Sequence, residues 1–151
     1  MVEPGQDFKN IYTVQMGENL LYGFENNATP ACLLKFSWRG SEMQDMEVAR
    51  PLTARGWPSL CGFMNRFIFV SGGFNSGRSC YYSSVDVYNV ATNSWIGAPK
   101  LNVPRSHHSS CSLASGYVYV FCGQTTVSSG GGYLASIERI DAQAACYSKS
   151  T

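Results

Sequence analysis

Two stretches of this sequence, fifty residues apart, carry similar residues in the same order. An aromatic and β-branched run that ends in glycine spans residues 67–73 and recurs at residues 117–123. An alternating apolar and polar segment at residues 84–89 recurs at residues 136–141, after the intervening loop has gained two residues. A period of this length, filled with short strand-like segments, indicates an all-β repeat architecture in which each repeat forms one small sheet.

The composition agrees with a strand-and-turn protein and argues against highly charged partners. Charged residues make up 14 % of the chain and the net charge is +1, without any block of like charge. We therefore predict no nucleic-acid partner and no membrane partner. The longest apolar runs are far shorter than the roughly 20 residues of a membrane helix. The first residues show no signal-peptide pattern.

The six cysteines are interpreted as reduced structural thiols rather than as a disulfide framework. Cys61 and Cys111 are separated by the repeat period, so they occupy the same position in successive repeats. Cys122 stands where the earlier repeat has a glycine. No C-x-x-C pair and no histidine cluster completes a zinc set. Reduced thiols favour an intracellular compartment, and we expect a cytoplasmic protein.

Strand signals are clearest in the repeat that spans residues 51–102. Apolar segments bounded by turn residues predict its four strands at residues 59–63, 66–71, 85–88 and 94–96. Between the second and third of these strands, a polar loop follows a glycine pair.

The flanking repeats are less complete. From Arg105 onward the sequence predicts the same first three strands, but residues 142–151 lack a tryptophan and predict no fourth strand. Four shorter strands are expected earlier in the chain, at residues 11–14, 20–24, 32–36 and 46–48, in a region without the glycine pair. No segment is a convincing helix.

The second repeat resembles a kelch repeat. It carries a glycine pair after an aromatic strand, then a tyrosine, then a tryptophan seven positions later, and it opens on Ala-Arg where the third repeat opens on Pro-Arg. The third repeat departs from the pattern, because Cys122 replaces a glycine, Ile140 stands near the tyrosine position and the tryptophan is absent. The residues that carry the signature are Gly72, Gly73, Tyr88, Trp95 and Gly123.

The resemblance implies that each repeat forms one four-stranded antiparallel blade of a β-propeller. The glycines would let neighbouring blades approach closely, and the Tyr88 and Trp95 rings would be buried between blades. The chain then reads as one partial propeller of about three blades. We expect a degenerate blade at about residues 11–50, a complete blade at 51–102, a blade without a clear fourth strand at 103–141, and a tail at 142–151.

About three blades are fewer than a closed ring needs, because propellers close with about four to eight blades. The chain could be part of a longer protein, which the cut-off third repeat favours. Alternatively, it could self-associate, for example as a dimer that contributes six blades.

No catalytic motif accompanies the repeats. His107 and His108 precede two serines, but there is no nucleophile elbow. Adjacent histidines on a predicted strand point to opposite faces and do not readily hold one metal. The glycine-rich segment at residues 128–132 lacks the lysine and the helix of a phosphate-binding loop. We therefore predict no enzyme, no cofactor and no metal.

One enzymatic alternative comes from the resemblance itself. Some kelch-like propellers are copper radical oxidases that resemble galactose oxidase and use two tyrosines, two histidines and a cysteine. Residues 80–82 (Cys-Tyr-Tyr) and the His107–His108 pair supply these residue types, although not in a recognisable spacing.

Binding is the remaining function class. Propeller loops on one face form a rim, and binding residues are commonly carried on such loops above rigid sheets. The candidate partner-binding residues are Trp57, Asn75, Arg78, Tyr81, Tyr82, His107 and Gln124. Arg55 and Arg105 are expected instead to hold turns or carbonyl groups. The sequence thus predicts a non-catalytic protein–protein interaction module with a protein partner, the alternative being a structural subunit of a larger assembly.

Overall fold

The structure, a computed structural model, describes residues 11–25, 32–39, 42–50, 53–126 and 132–147. These residues form antiparallel β-sheets and one short helix, so the predicted all-β class is confirmed. Three larger sheets follow one another along the chain, and two short hairpins project from the second and third.

The first sheet is a four-stranded meander in which each strand pairs with the next along the chain. Its strands are β1 (Ile11–Gln15), β2 (Leu20–Glu25), β3 (Cys32–Arg39) and β4 (Glu42–Ala49). The last strand begins four residues before the predicted residue 46, because pairing continues to the end of β3, where Arg39 lies opposite Glu42.

The second sheet has the strand order β10-β9-β6-β5. Its strands are β5 (Ser59–Phe63), β6 (Phe67–Ser71), β9 (Val85–Asn89) and β10 (Ser94–Ala98). The loop between β6 and β9 contains a short hairpin that the sequence did not predict, formed by β7 (Phe74–Asn75) and β8 (Cys80–Tyr81). Four strands therefore lie where the periodicity predicts them.

The third sheet has three strands among the described residues, in the order β11-β12-β15. They are β11 (Ser109–Ser112), β12 (Tyr117–Phe121) and β15 (Ile137–Asp141). A second short hairpin, β13 (Gln124–Thr125) with β14 (Gly132–Tyr133), occupies the place of β7–β8 one repeat later. Most of the glycine-rich segment of this loop, residues 127–131, lies outside the described residues.

A short helix, α1 (Ala142–Tyr147), follows β15 directly and corrects the expectation that the chain has no helix. Asp141 Oδ1 accepts a hydrogen bond from the Ala144 amide at 2.8 Å, in the manner of an N-cap. Ala142 and Ala145 are buried against the core, and this packing stabilises the helix. With six residues, the helix is too short to show periodicity in the sequence. No helix in the described ranges is long and apolar enough to cross a membrane.

The sheets stack face to face through two apolar clusters. One joins the first and second sheets and contains Met16, Tyr22, Phe24, Leu33, Ile68, Val70 and Tyr88. The other joins the second sheet to the third sheet and α1, and contains Cys61, Phe63, Phe67, Phe69, Val85, Val87, Leu101, Val118, Val120, Ile140, Ala142 and Ala145. Because alternate residues of a strand point to opposite faces, β6 and β9 are buried on both sides.

The two rings of the repeat signature are buried to different extents. Tyr88 is 1 % exposed and lies 6.2 Å from the Tyr22 ring of the first sheet, centroid to centroid. The ring centroids of Trp95 and Tyr88 are 5.1 Å apart, but Trp95 is only half-buried. It lies on β10, an edge strand of the second sheet. The expectation of a fully buried ring therefore holds for Tyr88 and is wrong for Trp95.

Candidate functional site

The loops that follow the glycines of the second and third repeats lie at one end of their sheets. In each repeat, a pair of backbone hydrogen bonds joins this loop to the segment that precedes the first strand of the sheet, β5 or β11. Gly56 and Phe74 exchange bonds of 2.9 and 2.7 Å in the second repeat. Ser106 and Gln124 exchange bonds of 3.0 and 2.8 Å in the third. The same backbone frame therefore supports both loops.

Trp57 and His107, equivalent residues of successive repeats, meet at this end of the molecule. Both have left-handed backbone conformations, with φ of 50° and 52°. Such values are uncommon for residues other than glycine and persist where the surrounding structure enforces them. The His107 amide donates to the Trp57 carbonyl at 3.3 Å, and the two rings stack with centroids 5.3 Å apart.

The stack continues as a line of rings, here called the rim aromatic row and defined as His107, Trp57, Phe74 and Tyr81. The Trp57 and Phe74 centroids are 6.0 Å apart, and those of Phe74 and Tyr81 are 4.8 Å apart. Phe74 comes from β7 and Tyr81 from β8, so the unpredicted hairpin completes the row. The row brings together three of the predicted binding residues.

Two shallow depressions lie beside the row, toward the third sheet. One, of about 260 Å³, is lined by Tyr81, Gln124, Thr125, Thr126, Gly132 and Tyr133. The other, of about 280 Å³, is lined by His107, Cys122, Gly123, Gln124, Tyr133 and Leu134. Gln124 and Tyr133 line both, and Tyr133 is 87 % exposed. The predicted residue Gln124 therefore belongs to the third repeat's loop and shares one depression with Tyr81 of the second repeat's loop.

The remaining predicted residues belong to the β7–β8 loop. Asn75 Nδ2 donates to the Tyr82 hydroxyl at 2.9 Å, while Asn75 Oδ1 accepts from the Arg78 amide at 3.0 Å. Tyr82 is half-buried, with the Arg55 guanidinium 5.9 Å from its ring centroid. Arg78 is exposed. Asn75 and Tyr82 thus shape the loop, whereas Arg78 presents its side chain to solvent.

Arg55 secures the carbonyl groups beneath this loop, as the sequence predicted. Its guanidinium donates to the carbonyls of Val70, Gly72 and Ser84 at 2.8–3.3 Å. It also pairs with the Asp86 carboxylate. Burial raises the pKa of Asp86, an effect that the Arg55 charge partly offsets.

Arg105 repeats the arrangement in the third sheet. It donates to the carbonyls of Cys122 and Ser136 at 2.8 and 3.2 Å and pairs with Glu138. Glu138 is the counterpart of Asp86, so the buried ion pair recurs with the period. These two arginines hold the backbone and are fully buried, which removes them from the binding surface.

His108 lies between the second and third sheets rather than at the rim. Its Nε2 is 3.0 Å from the Ser71 hydroxyl, and its Nδ1 is buried without a hydrogen-bond partner among the described residues. Burial, with the nearby Arg105 charge, lowers the pKa of His108 to about 4. Strand β11 begins only at Ser109, so the prediction that both histidines lie on a strand is wrong.

The structure does not join the two histidines into one site. His107 is exposed and stacks on the Trp57 ring, whereas His108 is buried and hydrogen-bonded to the Ser71 hydroxyl. Within the described ranges, no three His, Cys, Asp or Glu side chains are grouped closely enough to hold a metal ion. The two histidines of the copper-oxidase alternative therefore lie in different environments, whereas His107 and Tyr81 belong to the same aromatic row.

Sequence reasoning missed two members of this surface, Phe74 and Tyr133. Phe74 directly follows the glycine pair, and that position was a detectable signal because the loop after the pair was already expected at the rim. Tyr133 follows the glycine-rich segment, and nothing in the sequence indicated that a short strand would place it beside Gln124.

Part of the chain matches a known protein family. A family model described as the kelch motif matches residues 60–102, which run from β5 to just beyond β10. None of the curated proteins matches the sequence.

Proposed function

We propose that this chain, a kelch-repeat protein, is a non-catalytic protein-interaction module that presents its rim loops to a protein partner. The observation that carries the proposal is the rim aromatic row, a line of four rings across the loops of two successive repeats. Kelch-type domains in general serve protein interactions, and the row offers a particular surface for one.

The row has the properties of a binding surface. Tryptophan, tyrosine and arginine are enriched among the few residues that dominate binding energy at protein interfaces. Trp57 and Tyr81 belong to the row, and Arg78 is exposed on the loop that carries Phe74 and Tyr81. The backbone below is held by the Arg55 ion pair and its carbonyl bonds. A surface held rigid before binding loses little conformational entropy when a partner binds.

The division of the chain into blades is part of this proposal. We assign residues 11–50, 51–102 and 103–141 to three blades and residues 142–151 to a tail, within either a longer parent protein or a self-associating chain. A cytoplasmic location also belongs to the proposal. It rests on the interpretation of the cysteines as reduced structural thiols. Burial raises the pKa of the Cys61 thiol to about 11, as expected for a structural cysteine rather than a reactive one.

The test compares partners captured by matched variants. The full chain, fused to a proximity-labelling enzyme, is expressed in cells of its source, and labelled proteins are quantified by mass spectrometry. The rim variant combines Trp57→Ala with Tyr81→Ala. The control is Met64→Ala, at an exposed turn at the opposite end of the second sheet.

The proposal predicts that specific partners are lost from the rim variant by about tenfold or more and retained by the control. Circular dichroism must show that both variants are folded. A structural subunit would hold its partners through the faces of its sheets. An unchanged set of partners in the rim variant would therefore contradict the proposal and favour that alternative.

A further inference from the structure

The rim aromatic row combines partial exposure to solvent with an even spacing of its rings. His107 is exposed, and Trp57, Phe74 and Tyr81 are half-buried. Successive ring centroids are 5.3, 6.0 and 4.8 Å apart. The Trp57 and Phe74 planes are inclined to each other by 44°, and those of Phe74 and Tyr81 by 57°. The inclined rings therefore form ridges with clefts between them rather than a flat surface.

The row and the depressions beside it also carry unused hydrogen-bond donors. Within the described ranges, the Trp57 indole N–H, the Tyr81 hydroxyl and the Gln124 side-chain amide make no hydrogen bond. Tyr133, which lines both depressions and is 87 % exposed, adds a second hydroxyl. Each of these groups can donate a hydrogen bond. This end of the molecule therefore offers donors to a bound segment.

The charge at this end is positive. The Asp86 and Glu138 carboxylates pair with Arg55 and Arg105 beneath the loops. The residues of the row and of the two depressions include no carboxylate. Arg78, near the tip of the β7–β8 hairpin, is exposed, and its guanidinium has no partner in the part of the chain that the structure describes. A segment that binds here therefore meets an unpaired cation.

The shape of this surface disfavours two common modes of peptide binding. Strand addition needs a run of unpaired backbone groups along a sheet edge, but the strands of the two rim hairpins have only two residues each. A bound helix needs an apolar groove for one of its faces, but the two depressions are shallow and partly lined by polar side chains. An extended segment that needs few backbone partners fits this surface better.

We propose that the rim aromatic row binds a proline-rich segment in the polyproline II conformation, with an acidic residue beside its prolines. This assignment rests on the proposed function, because it names the class of partner that the same surface binds. A polyproline II helix rises about 3.1 Å per residue, so two residues advance about 6 Å, which is close to the spacing of the rings. Successive dipeptides would then fill successive clefts, in the manner of aromatic-lined grooves that receive such segments.

The donors and the charge of the rim match such a segment. Proline has no backbone N–H, so a proline-rich segment presents mainly carbonyl acceptors, which suit the free donors of Trp57, Tyr81 and Gln124. Arg78 would pair with the acidic residue and fix the direction in which the segment runs. The backbone frame of the rim loops and the stiff polyproline II helix are both formed before they meet. Binding therefore loses little conformational entropy.

Selection from a peptide library tests the chemistry of the partner. The full chain is immobilised, and short random peptides displayed on phage are selected against it. We expect the enriched peptides to contain prolines with aspartate or glutamate beside them. With Arg78→Glu, the preference for acidic residues should change to one for lysine or arginine, while the prolines remain. Enriched peptides without proline, or no enrichment at all, would overturn the proposal.

Fluorescence anisotropy of the most enriched peptide tests where it binds. Trp57→Ala and Tyr81→Ala should each weaken binding by about tenfold or more, because each removes a ring of the row. Trp57→Phe keeps a ring without the N–H donor and should lose less. Met64→Ala, at the opposite end of the second sheet, should leave the affinity unchanged. Circular dichroism shows which variants are folded. Equal affinities of Met64→Ala and of the folded variants at Trp57 and Tyr81 would overturn the proposal.

The peptide selection and the proximity labelling can fail independently. If the rim variant loses its cellular partners but the selected peptides lack proline, the proposed function stands and the proline-rich partner is wrong. If the rim variant keeps its cellular partners, the proposed function is wrong, whatever peptides the row selects.

Discussion

At the scale of single residues, each repeat depends on an arginine that satisfies several carbonyl groups at once. Arg55 donates to carbonyls at the end of β6 and before β9, and Arg105 does the same one repeat later. A guanidinium presents several donors in a fixed plane, so one side chain can bind the carbonyl groups at the ends of two neighbouring strands. The sequence showed the repeated arginines, and the carbonyl-binding role predicted from them is confirmed.

Tyr88 and Trp95 should differ in their contribution to stability. Tyr88→Ala removes a ring that is fully buried between the first two sheets, and we expect a loss of about 3–5 kcal/mol in the free energy of unfolding. Trp95→Ala removes a half-buried ring and should cost about 2 kcal/mol. Urea denaturation of the two variants measures both values. An equal or larger loss for Trp95→Ala would contradict the arrangement of the second sheet.

His108 should make stability depend on pH. Its pKa is about 4 in the folded protein against 6.5 ordinarily, because burial and the Arg105 charge disfavour the protonated ring. The unfolded chain therefore binds the proton more readily than the folded protein does. The contribution of His108 to the free energy of unfolding is fully present above about pH 6.5 and is lost as the pH falls through about 4. The loss between pH 7 and pH 4 should be roughly 3 kcal/mol.

The control for this pH effect is His108→Gln, which keeps a polar group near Ser71 but cannot titrate. Its stability should fall less steeply than that of the unmodified chain between pH 7 and pH 4. Urea titrations at pH 7, 5.5 and 4 give the two slopes. Parallel curves would show that His108 is not the group responsible.

At the scale of elements, strands were predictable wherever side chains alternate between two environments. The strands of the second sheet were found at their predicted positions within a few residues, since β5, β6 and β9 combine apolar alternation with clear turn residues. The hairpin β7–β8 was not predictable, because strands of two residues carry no periodicity. Helix α1 escaped prediction for the same reason, being only six residues long.

The packing of α1 can be tested with neighbouring alanines. Ala145 is buried against the second and third sheets, whereas Ala144 is exposed on the same helix. Ala145→Glu would place an unpaired carboxylate in the apolar cluster and should cost about 3 kcal/mol or more in the free energy of unfolding. Ala144→Glu should change it by less than about 0.5 kcal/mol. Similar urea midpoints for the two variants would show that α1 does not pack as described.

At the scale of the whole molecule, the second sheet is the centre of the stack. Its strands β6 and β9 are buried on both faces, since the first sheet covers one side and the third sheet and α1 cover the other. The third sheet is covered on its inner face, where Val118 and Val120 are fully buried, and more open on its outer face. Stability should therefore be distributed unevenly along the chain.

Hydrogen exchange should show this gradient. Amides of β6 and β9 should exchange most slowly, because exposing them requires both contacts to open. Amides of β10, β15 and the β7–β8 hairpin should exchange sooner. Exchange followed by mass spectrometry on the full chain provides the measurement. Equal protection of β6 and β15 would argue that the third sheet is covered on its outer face as well.

The sequence by itself determined the all-β class, the fifty-residue period and the positions of most strands, because alternation and turn chemistry are local properties. It also indicated which residues recur, among them Arg55 with Arg105 and Trp57 with His107. Only the tertiary structure decided that Trp57 and His107 stack, that Phe74 and Tyr133 join the rim, and that His108 lies buried between sheets. These depend on how one repeat packs on the next, and such contacts between distant residues leave no periodic trace in the sequence.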